Sequence, residues 1–160
     1  MKIILFSRTN SALRPVLLRQ LIDTVEVSGL DWCINEEFAR ELERMGVCSV
    51  DPSRLYGESI GTQPDNSIMV SVGGDGTFLY SSKLVIDSGI PVVGVNLGRV
   101  GFLSENRPED VAEALLSGEY TIENRAMLRA EVSPEVASVS MWDYALNEIT
   151  VHRNGSAMLG

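Results

Sequence analysis

Residues 68–77 read Ile-Met-Val-Ser-Val-Gly-Gly-Asp-Gly-Thr, and this stretch decides the predicted fold. Residues 68–72 form a short apolar run, as expected of a strand that is buried on both faces of a parallel sheet. Three glycines around one carboxylate, Asp75, follow it directly. Because ligand crevices in open α/β sheets lie just past the carboxyl ends of strands, we expect Asp75 to stand where chemistry takes place.

The glycines at 73, 74 and 76 lack Cβ atoms, so the backbone can take positive φ and its N–H groups can approach a bulky anion. Thr77 is predicted to cap the following helix, whose free N–H groups and dipole favour phosphate. A carboxylate in such a turn would repel phosphate unless it takes a proton from an attacking hydroxyl or holds a divalent cation. The alternative is a tight strand-to-helix turn with an exposed aspartate, since both residue types favour turns.

A second glycine turn follows the predicted strand at residues 91–95. Residues 96–103 read Asn-Leu-Gly-Arg-Val-Gly-Phe-Leu. Asn96 can offer its amide to a sugar or phosphate, and Arg99 is a candidate phosphate contact. Phe102 packs either in the core or against a base, and Tyr80, one turn into the preceding helix, faces a ligand, the core or solvent.

Asn147 and Glu148 interrupt an otherwise apolar predicted strand. A buried amide and carboxylate without partners would destabilise the fold, although one of them can face solvent because strand side chains alternate. His152, at the end of that strand, is the one histidine of the chain. It is predicted to have a surface or interface role and not to bind a metal, and no other residue is assigned as a metal ligand.

The composition excludes several classes of function. The chain has 160 residues and a formal net charge of −9, whereas a nucleic-acid surface needs a basic stripe. Its apolar runs are far shorter than the roughly 18 residues of a membrane span, and residues 1–6 are predicted to be a strand, not a secretion signal. Cys33 and Cys48 lack zinc or redox spacing. We therefore expect a soluble, cytoplasmic protein with no nucleic-acid or membrane partner.

Strand and helix signals alternate up to about residue 120. Helices are predicted from a cap at Thr9, Asn10 or Ser11 to Val27, from Asn35 to Met45, after Thr77 and from Pro108 to Leu116, with a loop at residues 51–67. Residues 120–132 and 139–152 look like two strands. The sequence thus predicts an α/β, Rossmann-like domain over residues 1–120 and the beginning of an all-β domain, of β-sandwich type, over residues 121–160. The predicted inward face of the first helix is Leu13, Val16, Leu17, Leu21 and Val25.

Three segments resemble a known family. Residues 73–77 look like the signature of the superfamily of NAD kinases, diacylglycerol kinases and phosphofructokinases. Residues 96–103 are similar to the second glycine turn of NAD kinases, and residues 145–153, Ala-Leu-Asn-Glu-Ile-Thr-Val-His-Arg, resemble their Asn-Glu motif. The first segment indicates only the superfamily, but all three together, in family order, indicate the NAD kinase family.

This resemblance implies transfer of the γ-phosphoryl group of ATP, or of polyphosphate, to the 2′-hydroxyl of the adenosine ribose of NAD. Asp75 would be the base that takes the hydroxyl proton, and the N–H groups of the whole turn from Gly73 to Thr77, with Mg²⁺, would hold and neutralise the phosphates. The resemblance also implies that Phe102 lines the adenosine pocket and that Asn147 and Glu148 contact the ribose and adenine of NAD. It further implies a homodimer or homotetramer.

One departure from the family concerns length. The resemblance to NAD kinases implies a two-domain protein considerably longer than this chain. The β domain is therefore expected to be truncated here, with strand edges unpaired or covered by another chain. Two alternatives remain open. A diacylglycerol-type lipid kinase shares the turn at residues 73–77, and a non-catalytic nucleotide-binding module would bind NAD or ATP without transferring a phosphoryl group.

Overall fold

A parallel sheet with helices on both faces makes up the larger part of the structure. The computed structural model describes residues 1–8, 14–98, 101–131 and 144–149, and the chain divides into two compact units, residues 1–121 and 122–160. Strands of the first unit are β1 (Lys2–Phe6), β2 (Asp31–Asn35), β3 (Leu55–Tyr56), β4 (Ser67–Val72) and β5 (Val92–Val95). Its α-helices are α1 (Pro15–Val27), α2 (Glu36–Arg44), α3 (Asp75–Leu84) and α4 (Pro108–Ser117).

The strand order is β3-β2-β1-β4-β5, and every pairing is parallel. The chain first builds β2 and β3 outward from β1, and then returns to place β4 on the other side of β1. Ligand crevices of open α/β sheets lie at the carboxyl ends of the strands where the order reverses in this way. At this boundary the Ser7 hydroxyl donates to the Val72 carbonyl at 2.7 Å, so the ends of β1 and β4 are tied together.

Side chains of β1 alternate between two hydrophobic clusters, one on each face of the sheet. Ile3 and Leu5 belong to the larger cluster, which includes residues of α1, α2 and α4. Ile4 and Phe6 belong to the smaller cluster, which includes the residue that follows α3. All residues of β4 are buried, as predicted for a strand covered on both faces. The predicted α/β class is confirmed.

Several local predictions were wrong. Strand β2 was not predicted, and β3 was predicted to be part of a loop, because each apolar run is too short to be distinguished from a connection. The first helix begins at Pro15, with Arg14 at its N-cap and no side-chain cap; the predicted caps, residues 9–11, lie outside the described residues. Val16 is 71% exposed, whereas Leu18 and Ile22 are buried. The inward face therefore includes Leu21 and Val25, as predicted, but turns toward Leu18 and Ile22 and away from Val16.

The second unit contains one short antiparallel pair in its described residues, β6 (Leu128–Arg129) with β7 (Tyr144–Ala145). The long strand predicted over residues 120–132 is wrong for residues 120–127, which form no strand. Most of the strand predicted over residues 139–152, including His152, lies outside the described residues. A β-sandwich domain in residues 121–160 stays a prediction.

Among the described residues, every helix is too short or too polar to cross a membrane.

Gly94 in β5 lets the following segment pack against the edge of the sheet. This segment, the β5–α4 loop (residues 96–107), returns beside β5, where Val95 and Asn106 form a parallel bridge. A Cβ atom on Gly94 would lie 2.7 Å from the Leu103 carbonyl oxygen and 2.8 Å from Ser104 Cα. Favourable contacts between heavy atoms lie at roughly 3.5–4.0 Å, so a larger residue would displace the loop or the strand.

We expect Gly94→Ala to lower the free energy of unfolding by about 1–3 kcal/mol, the usual effect of overpacking against atoms that cannot move freely. Urea denaturation of the wild type and the variant measures this. Gly57→Ala is the matched control, because a Cβ atom there would meet no heavy atom within 4 Å, and we expect it to be neutral. Equal midpoints for both variants would show that the loop does not pack closely on β5.

Candidate functional site

The Asp75 carboxylate is bound by three consecutive backbone N–H groups of the β5–α4 loop. Phe102 N donates to Oδ2 at 3.0 Å, while Leu103 N and Ser104 N donate to Oδ1 at 2.9 and 3.1 Å. A Cβ atom on Gly101 would lie 2.6 Å from Asp75 Cγ, so only glycine fits where the loop meets the carboxylate. The two glycine turns recognised in the sequence are therefore in direct contact.

These hydrogen bonds keep Asp75 ionised. The Leu103 N–H group, followed by that of Phe102, lowers the pKa of the carboxyl group; partial burial opposes this shift, and the Ser104 N–H group adds to it. A carboxylate offers about four acceptor positions, two on each oxygen. Oδ1 accepts two N–H groups and Oδ2 accepts one, so one acceptor position remains on Oδ2.

Asp75 is also the first residue of α3. Gly74 occupies the N-cap and provides no side-chain cap, so the prediction that Thr77 caps the helix is wrong: Thr77 lies inside the first turn and is buried. The helix begins earlier than predicted because Asp75 enters helical conformation directly after Gly74. A carboxylate in this position interacts favourably with the helix dipole.

The first turn of α3 leaves only part of its backbone for a ligand. Gly73 has a φ of 148°, and its N–H group donates to the Val95 carbonyl at 2.9 Å, so its role in this structure is to extend the sheet. Thr77 N donates to the Gly74 carbonyl at 2.9 Å. The N–H groups of Gly74, Asp75 and Gly76 precede the helical hydrogen-bond ladder, and Gly74 and Gly76 are exposed.

Tyr80 lies at the boundary between β1 and α3. Its ring stacks on Phe6 with centroids 5.5 Å apart and planes 9° from parallel, and the Arg8 guanidinium lies 5.4 Å from the ring centroid. The ring is 44% exposed. Tyr80 is thus partly packed against Phe6 and partly exposed. It also contacts Arg8, near the carboxyl end of β1, which was not among the predicted site residues.

Asn96 and Phe102 occupy different environments within the β5–α4 loop. Asn96 Nδ2 donates to the Ser104 carbonyl at 2.9 Å, and its Oδ1 accepts the Gly98 N–H at 2.6 Å. Its side-chain amide thus joins the start of the loop to the returning part. The Phe102 side chain is 93% exposed, which excludes the core position considered from sequence. Arg99 lies outside the described residues.

Asn147 and Glu148 belong to the second unit. They follow β7 directly instead of lying within a strand, as had been predicted, and both are exposed. The described residues bring together no group of three or more His, Cys, Asp or Glu side chains able to hold a metal ion.

The sequence is similar to a known family of proteins and to several of its members. A family model described as the ATP-NAD kinase N-terminal domain matches residues 7–120. The NAD kinase of Bacteroides fragilis is 33% identical over 99% of this chain and 54% of its own length. The NAD kinase of Nitrosococcus oceani is 37% identical over 84% of this chain and 44% of its own length. The chain thus spans about half the length of the curated relatives it matches.

A solved structure shares the fold. The crystal structure of yeast NADH kinase complexed with NADH superimposes with a TM-score of 0.64 and 18% sequence identity, over 91% of this chain and 46% of that chain. The family model covers well over half of the chain, including both glycine turns that meet at Asp75. The chain therefore belongs to the NAD kinase family, as its three sequence motifs predicted.

Proposed function

We propose that this chain provides the nucleotide-binding part of an NAD kinase, which transfers the γ-phosphoryl group of ATP, or of polyphosphate, to the 2′-hydroxyl of the adenosine ribose of NAD. The observation that carries the proposal is the Asp75 carboxylate. It is held by three amides at the carboxyl end of β4, beside the reversal in strand order, and it retains an acceptor position on Oδ2. A carboxylate in this position can accept a hydrogen bond from the hydroxyl group that receives the phosphoryl group.

Asp75 Oδ2 would accept the hydrogen bond of the 2′-hydroxyl and then its proton. The lowered pKa makes Asp75 a weak base, so its larger contribution would be to orient the attacking oxygen. This agrees with the chemistry of phosphoryl transfer, in which catalysis consists mostly of positioning and charge stabilisation. The proton would move to the carboxylate as the bond from the 2′-oxygen to the γ-phosphorus forms and the bond from that phosphorus to the bridging oxygen breaks, which releases ADP or a polyphosphate shortened by one unit.

The phosphates would be held by the N–H groups of Gly74, Asp75 and Gly76, with Arg99 as a further contact. Gly73 and Thr77 would contribute the shape of the turn, since their N–H groups are bonded within the protein. Mg²⁺ usually keeps several waters and binds substrate phosphates, so it would be held here by the phosphates and water, because the remaining acceptor position of Asp75 is used by the hydroxyl. Bound in this way, Mg²⁺ would neutralise phosphate charge.

The remaining proposed contacts concern NAD. Phe102 would cover the adenosine, Asn96 would offer its amide to a sugar or phosphate, and Asn147 and Glu148 would contact the ribose and adenine. Tyr80 would face the bound ligand. A cytoplasmic location, expected from the composition, and a homodimer or homotetramer, implied by the family resemblance, remain predictions.

The test of this function is Asp75→Asn in the full-length protein. We expect NADP formation to be abolished, while the Kd for NAD changes only a few-fold, because the amide cannot accept the hydroxyl proton. A coupled dehydrogenase assay measures NADP, and calorimetry measures NAD binding. Ser104→Ala is the control, since it keeps the backbone N–H that binds Asp75 and removes only a hydroxyl that has no partner in the described structure.

Substantial turnover in Asp75→Asn would exclude Asp75 from the mechanism. Wild-type protein that binds NAD but releases no NADP would indicate a non-catalytic module. Phosphorylation of diacylglycerol in place of NAD would indicate a lipid kinase.

Phe102→Ala tests the proposed adenosine contact separately. An aromatic contact of about 0.5–1.5 kcal/mol predicts a KM for NAD raised by roughly 2- to 10-fold. The free energy of unfolding should not change, because the side chain is almost fully exposed. An unchanged KM for NAD would remove Phe102 from the binding site.

Asp75 should also make stability depend on pH. Its folded-state pKa is lowered, chiefly by the Leu103 and Phe102 N–H groups, so the unfolded state binds the proton more tightly. The stabilisation is complete above the pKa of an unfolded aspartate, about 3.9, and is lost as pH falls through the lower folded value. Between about pH 5 and pH 3, the urea midpoint of the wild type should fall more steeply than that of Asp75→Asn. Equal slopes would contradict this expectation.

A further inference from the structure

Asn106 fastens the end of the β5–α4 loop to the edge of the sheet. Its side-chain Nδ2 donates to the Gly94 carbonyl at 3.1 Å, and its own carbonyl accepts the Asn96 N–H at 2.8 Å. Asn106 also forms the parallel bridge with Val95. A single exposed residue thus binds backbone groups on both sides of Val95, at the point where β5 ends.

Hydrogen bonds within the loop also join its residues between Asn96 and Asn106. The Asn96 side chain binds the Ser104 carbonyl, and Gly101 N donates to the same carbonyl at 3.2 Å. On its inner side the loop touches the backbone of Gly94, which leaves no space for a Cβ atom. These bonds and contacts hold the described part of the loop at both ends and against the strand.

The three amides that bind Asp75 lie within this closed loop, and Ser104 is only two residues before Asn106. Their convergence on one carboxylate depends on the position of the returning part of the loop. We propose that Asn106 is a positioning residue for Asp75: by binding the Gly94 carbonyl it sets the Phe102, Leu103 and Ser104 N–H groups around the carboxylate and leaves Oδ2 directed to the acceptor hydroxyl.

This inference rests on the proposed function only in its effect on turnover. Its effect on Asp75 itself is independent of substrate. The lowered pKa of Asp75 arises from the Leu103, Phe102 and Ser104 N–H groups against the opposing effect of burial, and no charged side chain of the described residues is among its causes. Displacement of the loop must therefore raise the pKa of this carboxyl group toward that of an ordinary aspartate.

The experiment compares Asn106→Ala with the wild type in the full-length protein. Titration of the ¹³Cγ resonance of Asp75, identified by its absence from the spectrum of Asp75→Asn, reports the pKa directly. We expect the pKa to rise in Asn106→Ala, and kcat for NADP formation to fall by roughly 10- to 100-fold, as for a displaced catalytic group. The control is Asn66→Ala, an exposed asparagine in the turn before β4, which should change neither quantity.

An Asp75 pKa that stays at its wild-type value in folded Asn106→Ala would overturn the proposal. If that variant does not fold, Asn106→Leu, which has a similar shape but no hydrogen-bond donor, is judged by the same criterion. A raised pKa in a protein that makes no NADP in any form would support the positioning of Asp75 and overturn the proposed function instead. The two failures are therefore distinguishable.

Discussion

The contact between one carboxylate and three backbone amides is the constraint on which the rest of the site depends. Asp75 and the amides of residues 102–104 come from turns that are separated by more than twenty residues and are joined by α3 and β5. Charged acceptors form stronger hydrogen bonds than neutral ones, so this contact orders both turns together. It fixes the first residue of α3, the returning loop and the glycine at 101 in one arrangement.

The contact lies at the carboxyl end of β4, at the edge of the sheet where ligand crevices of open α/β sheets are found. The order of strands reverses between β1 and β4, and β4 leads directly into the turn that carries Asp75. The bond from Ser7 to the Val72 carbonyl and the stacking of Tyr80 on Phe6 join the end of β1 to the same region. Backbone donors, an ionised carboxylate and an exposed aromatic ring thus surround one edge of the first unit.

Much of this architecture was predictable from the sequence, and the failures have physical reasons. The apolar run at residues 68–72 and the glycines after it correctly placed a buried strand before Asp75. The assignment of Thr77 as a cap failed because Gly74 needs no side chain to begin the helix. Strand β3 has two residues, too few for any periodicity. The contact of Gly101 with Asp75 was not predicted, because the pairing of turns that are distant in the sequence leaves no local signal.

The amides that hold Asp75 belong to the backbone, and this has a consequence for variation in the loop. Exchange of the side chains at 102 and 103 leaves the donors in place, so the side-chain surface of the loop can change while the bonds that lower the pKa of the carboxyl group remain. Proline is the exception, because it lacks the N–H group. Under the proposed function, the side chains that would contact a nucleotide and the amides that hold Asp75 belong to the same few residues but can vary independently, so nucleotide preference can diverge in this loop.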